Sequence, residues 1–95
     1  MATDDADELV ESIVMVARAM NKHSAPHFIG VGEYGTMKVM ITTQEEHNDG
    51  LSWWIRLMDS GSHPIQSWHA EGQFGLMNAA TQLSMRVYPF KRRGL

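Results

Sequence analysis

The spacing of apolar residues predicts one amphipathic helix near each end of the chain. In residues 5–21, apolar side chains recur at three- and four-residue steps, and Met15 falls on the polar side, where we expect it to be exposed. The second helix is predicted over residues 73–88, where Pro89 ends it. The apolar stripes consist of Leu9, Val10, Ile13, Val16, Ala17 and Met20 in the first helix, and of Leu76, Ala80, Leu83 and Val87 in the second.

Residues 27–70 alternate between apolar and polar side chains, which is typical of β-strands. Short turns, among them Asp49-Gly50, separate the strands and favour an antiparallel meander. The predicted strands are His27–Glu33, Thr36–Thr43, Leu51–Asp59 and Ile65–Ala70. The chain is therefore predicted to be an α+β two-layer sandwich, in which a helix, a meander of three to four strands and a second helix follow one another. Each helix has a single apolar stripe, so both helices are expected on one face of the sheet.

Alternation along the strands assigns side chains to the two faces of the sheet. The face under the helices is expected to hold Met37, Val39, Ile41, Leu51, Trp53, Ile55 and Leu57. The other face, called the open face below, then carries Lys38, Met40, Trp54, Arg56 and Met58. Trp68 is a further candidate for it, although the register of the last strand leaves both sides available. Trp, Met and Arg are enriched at protein interfaces, so the open face is the candidate contact surface.

Four roles are compatible with such a face. Its large side chains could be ordinary core covered by a loop or by the N-terminal segment. They could also form a homodimer interface, contact a different protein, or bind a small ligand. Large exposed apolar patches usually mark interaction sites, so we expect protein binding, with a homodimer through the open face as a second form of it.

Composition narrows the class of protein. A chain of 95 residues is expected to form one domain over residues 1–95, and 43% hydrophobic with 20% charged residues is typical of a globular protein. The absence of cysteine excludes disulfides, thiolate metal ligands and cysteine nucleophiles. The acidic N-terminal segment does not resemble a secretion signal, and no apolar run is long enough for a membrane helix. We therefore expect a cytoplasmic protein.

Charge is distributed unevenly along the chain. Eight Lys+Arg against eleven Asp+Glu give a formal net charge of −3, with acids concentrated at the N-terminus and bases in the tail at residues 89–95. An acidic loop follows the second predicted strand and would engage a basic site on a partner. The predicted partner-binding residues are Met40, Trp54, Arg56 and Met58, together with Glu45, Glu46 and Asp49 of this loop.

No pattern in the chain indicates catalysis. His23 and His27 have the four-residue spacing of helical metal ligands, but Pro26 interrupts the helix between them. Gly30-Val31-Gly32 resembles a phosphate-binding glycine pattern, yet a strand rather than a helix is predicted after it. No Gly-x-Ser-x-Gly nucleophile motif occurs. We expect no enzymatic activity, no metal site and no cofactor.

The order of elements resembles the double-stranded-RNA-binding domain, in which helices also pack on one face of a sheet. That family carries a lysine cluster at the start of its second helix, whereas residues 71–79 contain no lysine or arginine. Binding of nucleic acid is therefore the alternative function. It would use Trp54 or Trp68 for base stacking, and Arg86 with the basic tail for phosphates.

In size and negative charge the chain resembles immunity proteins against toxins and phage-encoded inhibitors of host defence, such as anti-CRISPRs. The resemblance implies a small protein that blocks a partner by occluding its surface, without catalysis. Acidic residues would then engage a basic active site or nucleic-acid site, and aromatic residues would anchor the contact.

Overall fold

The structure, a computed structural model, describes residues 2–3, 6–45 and 50–89 of the chain. Within these residues two helices pack against a sheet of five strands. The elements are β1 (Ala2–Thr3), α1 (Ala6–Ala19), β2 (His27–Val31), β3 (Met37–Glu45), β4 (Leu51–Asp59), β5 (Pro64–Glu71) and α2 (Gly72–Val87). The predicted α+β fold, with a helix, an antiparallel meander and a second helix, is confirmed.

The strands of the sheet lie side by side in chain order. Strands β2 to β5 form the antiparallel meander, in which Trp54 of β4 lies opposite His69 of β5. The short strand β1 adds a parallel pairing to β2 that the sequence does not predict, because two residues carry no periodicity. A β-bulge at Ile65 of β5, opposite Leu57 and Met58 of β4, shifts the pairing of the two strands. This bulge decides which residues of β5 face the helices.

The core lies between the two helices and one face of the sheet. Leu9, Ile13 and Ala17 are fully buried at four-residue steps along α1, as the predicted stripe requires. The sheet and α2 supply Ile29, Val31, Val39, Ile41, Trp53, Ile55, Leu57, Ala70, Leu76, Ala79, Ala80 and Leu83. Two predicted core residues, Met37 and Leu51, are only half-buried, because each is the first residue of its strand.

Side-chain contacts place both helices on the same face of the sheet. The indole N–H of Trp53 donates to the backbone carbonyl of Ala17 in α1 at 2.9 Å. Trp68 lies opposite Ile55, and its indole N–H donates to Gln82 of α2 at 3.2 Å. Since Trp53 and Ile55 are two residues apart, Trp53, Ile55 and Trp68 share one face. Trp68 is therefore covered by α2 and does not belong to the open face.

Tyr88 attaches the end of α2 to the end of β2. Its side chain is 4% exposed, and its hydroxyl accepts a hydrogen bond from the backbone N–H of Gly32 at 2.8 Å. Gly32 has a φ of 79°, and a Cβ at this position would come within 3.0 Å of the Met37 side chain. Glycine avoids both the strain of the positive φ and the clash with Met37. Of the predicted tail at 89–95, residues 90–95 lie outside the described residues.

Candidate binding face of the sheet

The open face of the sheet carries four of the residues that the sequence assigns to the binding site. Met40 pairs with Arg56 across β3 and β4, and Lys38 pairs with Met58. Trp54 lies on the same face, since it is two residues from Arg56. The register adds Phe28, Thr42, Gln44, Ser52, Ser67, His69 and Glu71 to the open face. The sheet thus brings Met40, Trp54, Arg56 and Met58 together.

Trp54 is held by contacts on three sides. Its ring centroid lies 4.8 Å from that of His69, and the guanidinium carbon of Arg56 lies 5.2 Å from the indole centroid. The indole N–H donates to Oε1 of Gln44 at 2.8 Å, and Arg56 donates to Oγ1 of Thr42 at 3.2 Å. We call these five residues the Trp54 cluster. Their contacts favour one geometry of the indole and guanidinium, which reduces the entropy lost on binding.

The other end of the open face combines a cation with apolar side chains. Nζ of Lys38 lies 5.4 Å from the centroid of the Phe28 ring and donates to Oγ of Ser62 at 2.6 Å. Phe28 is 52% exposed and Met40 is half-buried. Met58, beside the β-bulge, is only 9% exposed. Met58 therefore lies on the predicted face but offers little surface to a partner.

Glu45, the first acidic residue of the predicted site, lies away from the Trp54 cluster. It is two residues beyond Thr43, whose hydroxyl donates to the backbone carbonyl of Asn21 just after α1. The Glu45 carboxylate lies 3.5 Å from Nζ of Lys22, in an exposed ion pair. Both contacts lie on the helix side of the sheet. Glu45 and Trp54 therefore belong to opposite faces, and β3 does not bring them together.

The described part of the open face has more cationic than anionic side chains. Glu46 and Asp49, the other acidic residues of the predicted site, lie outside the described residues. Among the open-face residues that the structure describes, the fully charged groups are Lys38, Arg56 and Glu71. A partner that covers this face would need carboxylates or other anionic groups opposite the two cations.

The predicted binding site lacks three members of the Trp54 cluster, namely Thr42, Gln44 and His69. Strand β3 continues to Glu45, two residues beyond the predicted strand, so Gln44 is a strand residue rather than a loop residue. The position of His69 opposite β4 depends on the bulge in β5, for which the local sequence carries no signal. Gln44 could have been found from its alternation with Met40, since both are even-numbered residues of one strand.

Ser52, His69 and Glu71 are arranged in the order of a hydrolytic triad. Nε2 of His69 lies 2.9 Å from Oγ of Ser52, and its Nδ1 lies 3.9 Å from Oε1 of Glu71. Ser52, however, is fully buried, so its hydroxyl cannot reach a substrate carbonyl. The imidazole–carboxylate distance is also too long for a hydrogen bond. The three residues connect neighbouring strands and do not form an accessible nucleophile.

A tight turn built on Asp59 borders the open face. The Asp59 carboxylate accepts hydrogen bonds from the backbone N–H groups of His63 at 2.8 Å and Gly61 at 2.9 Å. The bond from the His63 N–H is the main reason that the pKa of Asp59 lies below its ordinary value, and partial desolvation opposes it. Ser62 in this turn has a φ of 65° and accepts the hydrogen bond from Lys38. The turn thus positions the cation at this end of the face.

Across residues 2–3, 6–45 and 50–89, His, Asp and Glu do not gather in groups of three or more that could hold a metal ion. In the same residues, neither helix is long and apolar enough to cross a membrane. Comparisons with protein-family models, with curated proteins and with solved structures found no match to this chain.

Proposed function

We propose that this chain binds another protein through the open face of its sheet and acts by covering the partner's surface, without catalysis. The observation that supports the proposal is the Trp54 cluster, in which an indole and a guanidinium are held on the face opposite α1 and α2. Trp and Arg are the residue types most enriched among interface hot spots. We place this binding in the cytoplasm and propose an inhibitor or immunity-type role for it.

The chemistry of the open face specifies the partner surface. Trp54, Met40 and the exposed Phe28 require an apolar area on the partner. Lys38 and Arg56 require anionic groups beside that area, because an unpaired cation loses its hydration at an interface. The partner that we propose therefore presents an apolar patch with carboxylates around it. A second contact, in which Glu45, Glu46 and Asp49 meet a basic site, stays a prediction.

The proposal is tested by affinity capture from the native host with three versions of the chain. These are the wild type, Trp54→Ala, and Phe74→Ala as a matched control. Phe74 is 93% exposed on α2, so its removal takes a large aromatic ring from a different face. We expect a partner that the wild type and Phe74→Ala retain and that Trp54→Ala loses.

The captured protein is then purified and titrated against each variant by calorimetry. Loss of a hot-spot side chain costs roughly 2 kcal/mol or more, so Trp54→Ala should weaken binding by about thirtyfold. Arg56→Ala should weaken it as well, and the effect of salt should decrease because one charge contact is gone. Equal affinity of Trp54→Ala and the wild type would contradict binding through the open face.

A second candidate function, binding of single-stranded nucleic acid, is favoured by the same cluster. The Trp54 and His69 rings lie on a sheet surface beside Arg56 and Lys38, a combination that stacks bases and neutralises phosphates. Titration of Trp fluorescence with single-stranded RNA and DNA at two salt concentrations distinguishes the candidates. Binding that is independent of sequence and weakens steeply with salt would favour nucleic acid over a protein partner.

A further inference from the structure

The outer surface of the two helices, on the side away from the sheet, carries an apolar groove. The groove is open to solvent and has a volume of about 700 Å³. Met15 and Met77, which lie on its two sides, are 66% and 49% exposed. Its lining consists of Val10, Glu11, Val14, Met15, Arg18, Ala19 and Met77. We call this surface the helix groove.

Two opposite charges lie in the helix groove. In the described part of the chain, neither Glu11 nor Arg18 takes part in a side-chain hydrogen bond or an ion pair. They are seven residues apart on α1, which corresponds to two helical turns and about 10.5 Å along the axis. At that distance they cannot pair with each other. The groove therefore offers an anion and a cation to whatever covers it.

The α1 part of the helix groove is symmetric about the midpoint between Val14 and Met15. Val10 and Ala19 are equally far from that midpoint, and both are apolar. Glu11 and Arg18 are also equally far from it, and their charges are opposite. An antiparallel copy of α1, related by a twofold axis through this midpoint, would place each Glu11 opposite an Arg18 of the other copy. In such a pair of helices, apolar residues would face apolar residues and each charge would face an opposite charge.

We propose that the occupant of the helix groove is a second copy of this chain, docked through antiparallel α1 helices. Two Glu11–Arg18 pairs would lie at the ends of the contact, with Val14 and Met15 between them and Met77 at the side. Seven residues from each copy make an interface at the low end of known sizes, so we expect a weak dimer. The open faces of both copies stay accessible, because the helices lie between the two sheets. This inference does not depend on the proposed function.

Charge reversal in α1 provides the test. Glu11→Arg places two cations opposite each other in the dimer, and Arg18→Glu places two anions opposite each other. Each variant alone should raise the dissociation constant of the dimer by at least about tenfold, since two attractive pairs become repulsive. An equimolar mixture of Glu11→Arg and Arg18→Glu should form a heterodimer, because every facing pair is again opposite in charge. The double variant should also self-associate like the wild type.

The measurement is sedimentation equilibrium from micromolar to near-millimolar chain concentration, with circular dichroism to verify folding. Asn78→Arg, at an exposed position of α2 outside the groove lining, controls for a change of net charge and should leave the dimer intact. A wild type that stays monomeric over this range would overturn the proposal. Dissociation by Trp54→Asp, with no effect of the α1 variants, would also overturn it and would assign the dimer to the open face.

Discussion

Trp53 and Trp54 are adjacent in sequence, yet they lie on opposite faces of the sheet and have different environments. Trp53 is 7% exposed, packs beneath the helices and donates its indole N–H to the backbone of α1. Trp54 is half-buried, stacks on His69 and donates to the Gln44 side chain. One ring is fixed by the core and the other by a polar cluster. Residue type alone therefore does not distinguish a core tryptophan from a candidate contact residue.

The two faces also differ in how polar groups are arranged around the large side chains. On the covered face, the tryptophan N–H groups bond to the helices and connect the two layers. On the open face, Lys38 and Arg56 lie against aromatic rings within the sheet layer itself. The covered face thus contributes mainly to stability, whereas the open face carries half-buried cations beside aromatic rings.

The largest expected effect is on the covered face. Trp53→Ala should reduce the free energy of unfolding by about 3–5 kcal/mol, because it leaves a cavity between the layers and removes the indole hydrogen bond to the Ala17 carbonyl. Trp53→Phe, which keeps a ring there, should cost less. Both values come from urea unfolding followed by circular dichroism. If Trp53→Ala lowered the free energy of unfolding no more than Trp54→Ala does, the two faces would not differ in their contribution to stability.

The next effect concerns the link between α2 and β2. Tyr88→Phe removes only the hydroxyl that accepts the Gly32 N–H, and it leaves that buried donor unsatisfied. We expect the free energy of unfolding to fall by about 1–3 kcal/mol. The Gly32 amide should also exchange its hydrogen with solvent faster in Tyr88→Phe than in the wild type. Unchanged exchange would mean that this bond does not protect the end of β2.

On the open face, Trp54→Ala should reduce the free energy of unfolding by only about 1 kcal/mol, because the ring is half-buried and its removal leaves no enclosed cavity. The same urea experiment measures it beside Trp53→Ala. Partner binding should nevertheless weaken by about thirtyfold, so Trp53→Ala should have the larger effect on stability and Trp54→Ala the larger effect on binding. A loss comparable with that of Trp53→Ala would make Trp54 a structural residue.

The smallest effect is expected in the turn at the edge of the open face. Since the pKa of Asp59 is lowered from 3.8 by folding, its carboxylate stabilises the turn above this pH, and the stabilisation disappears as pH falls through the folded pKa. The amide shifts of Gly61 and His63 in an NMR titration should therefore change with a midpoint below 3.8. Asp59→Asn should abolish that transition. A midpoint at or above the ordinary value would show that these hydrogen bonds do not hold the carboxylate.

Most of the fold is predictable from the sequence, whereas the candidate site is predictable only in part. Alternation in β4 assigns Trp53 and Trp54 to opposite faces, and the structure agrees. Trp68 could not be assigned in this way, because the bulge in β5 sets the register of that strand against β4. Glu45 is predicted to belong to an acidic contact loop beside Trp54, but it is the last residue of β3, and alternation puts it on the helix side. The charge of a residue therefore does not show which face of the sheet it belongs to.

The sequence by itself determined the order of the two helices and the four meander strands, the buried stripes of both helices and the two faces of β4. These features depend on periods of 3.6 and 2 residues, which are local properties of the chain. Only the tertiary structure decided that His69 and Gln44 hold Trp54 and that Tyr88 reaches Gly32. It also decided that α1 and α2 leave a groove between them. The physical reason is that these contacts join residues far apart in the chain, whose distance depends on register and packing rather than on any local period.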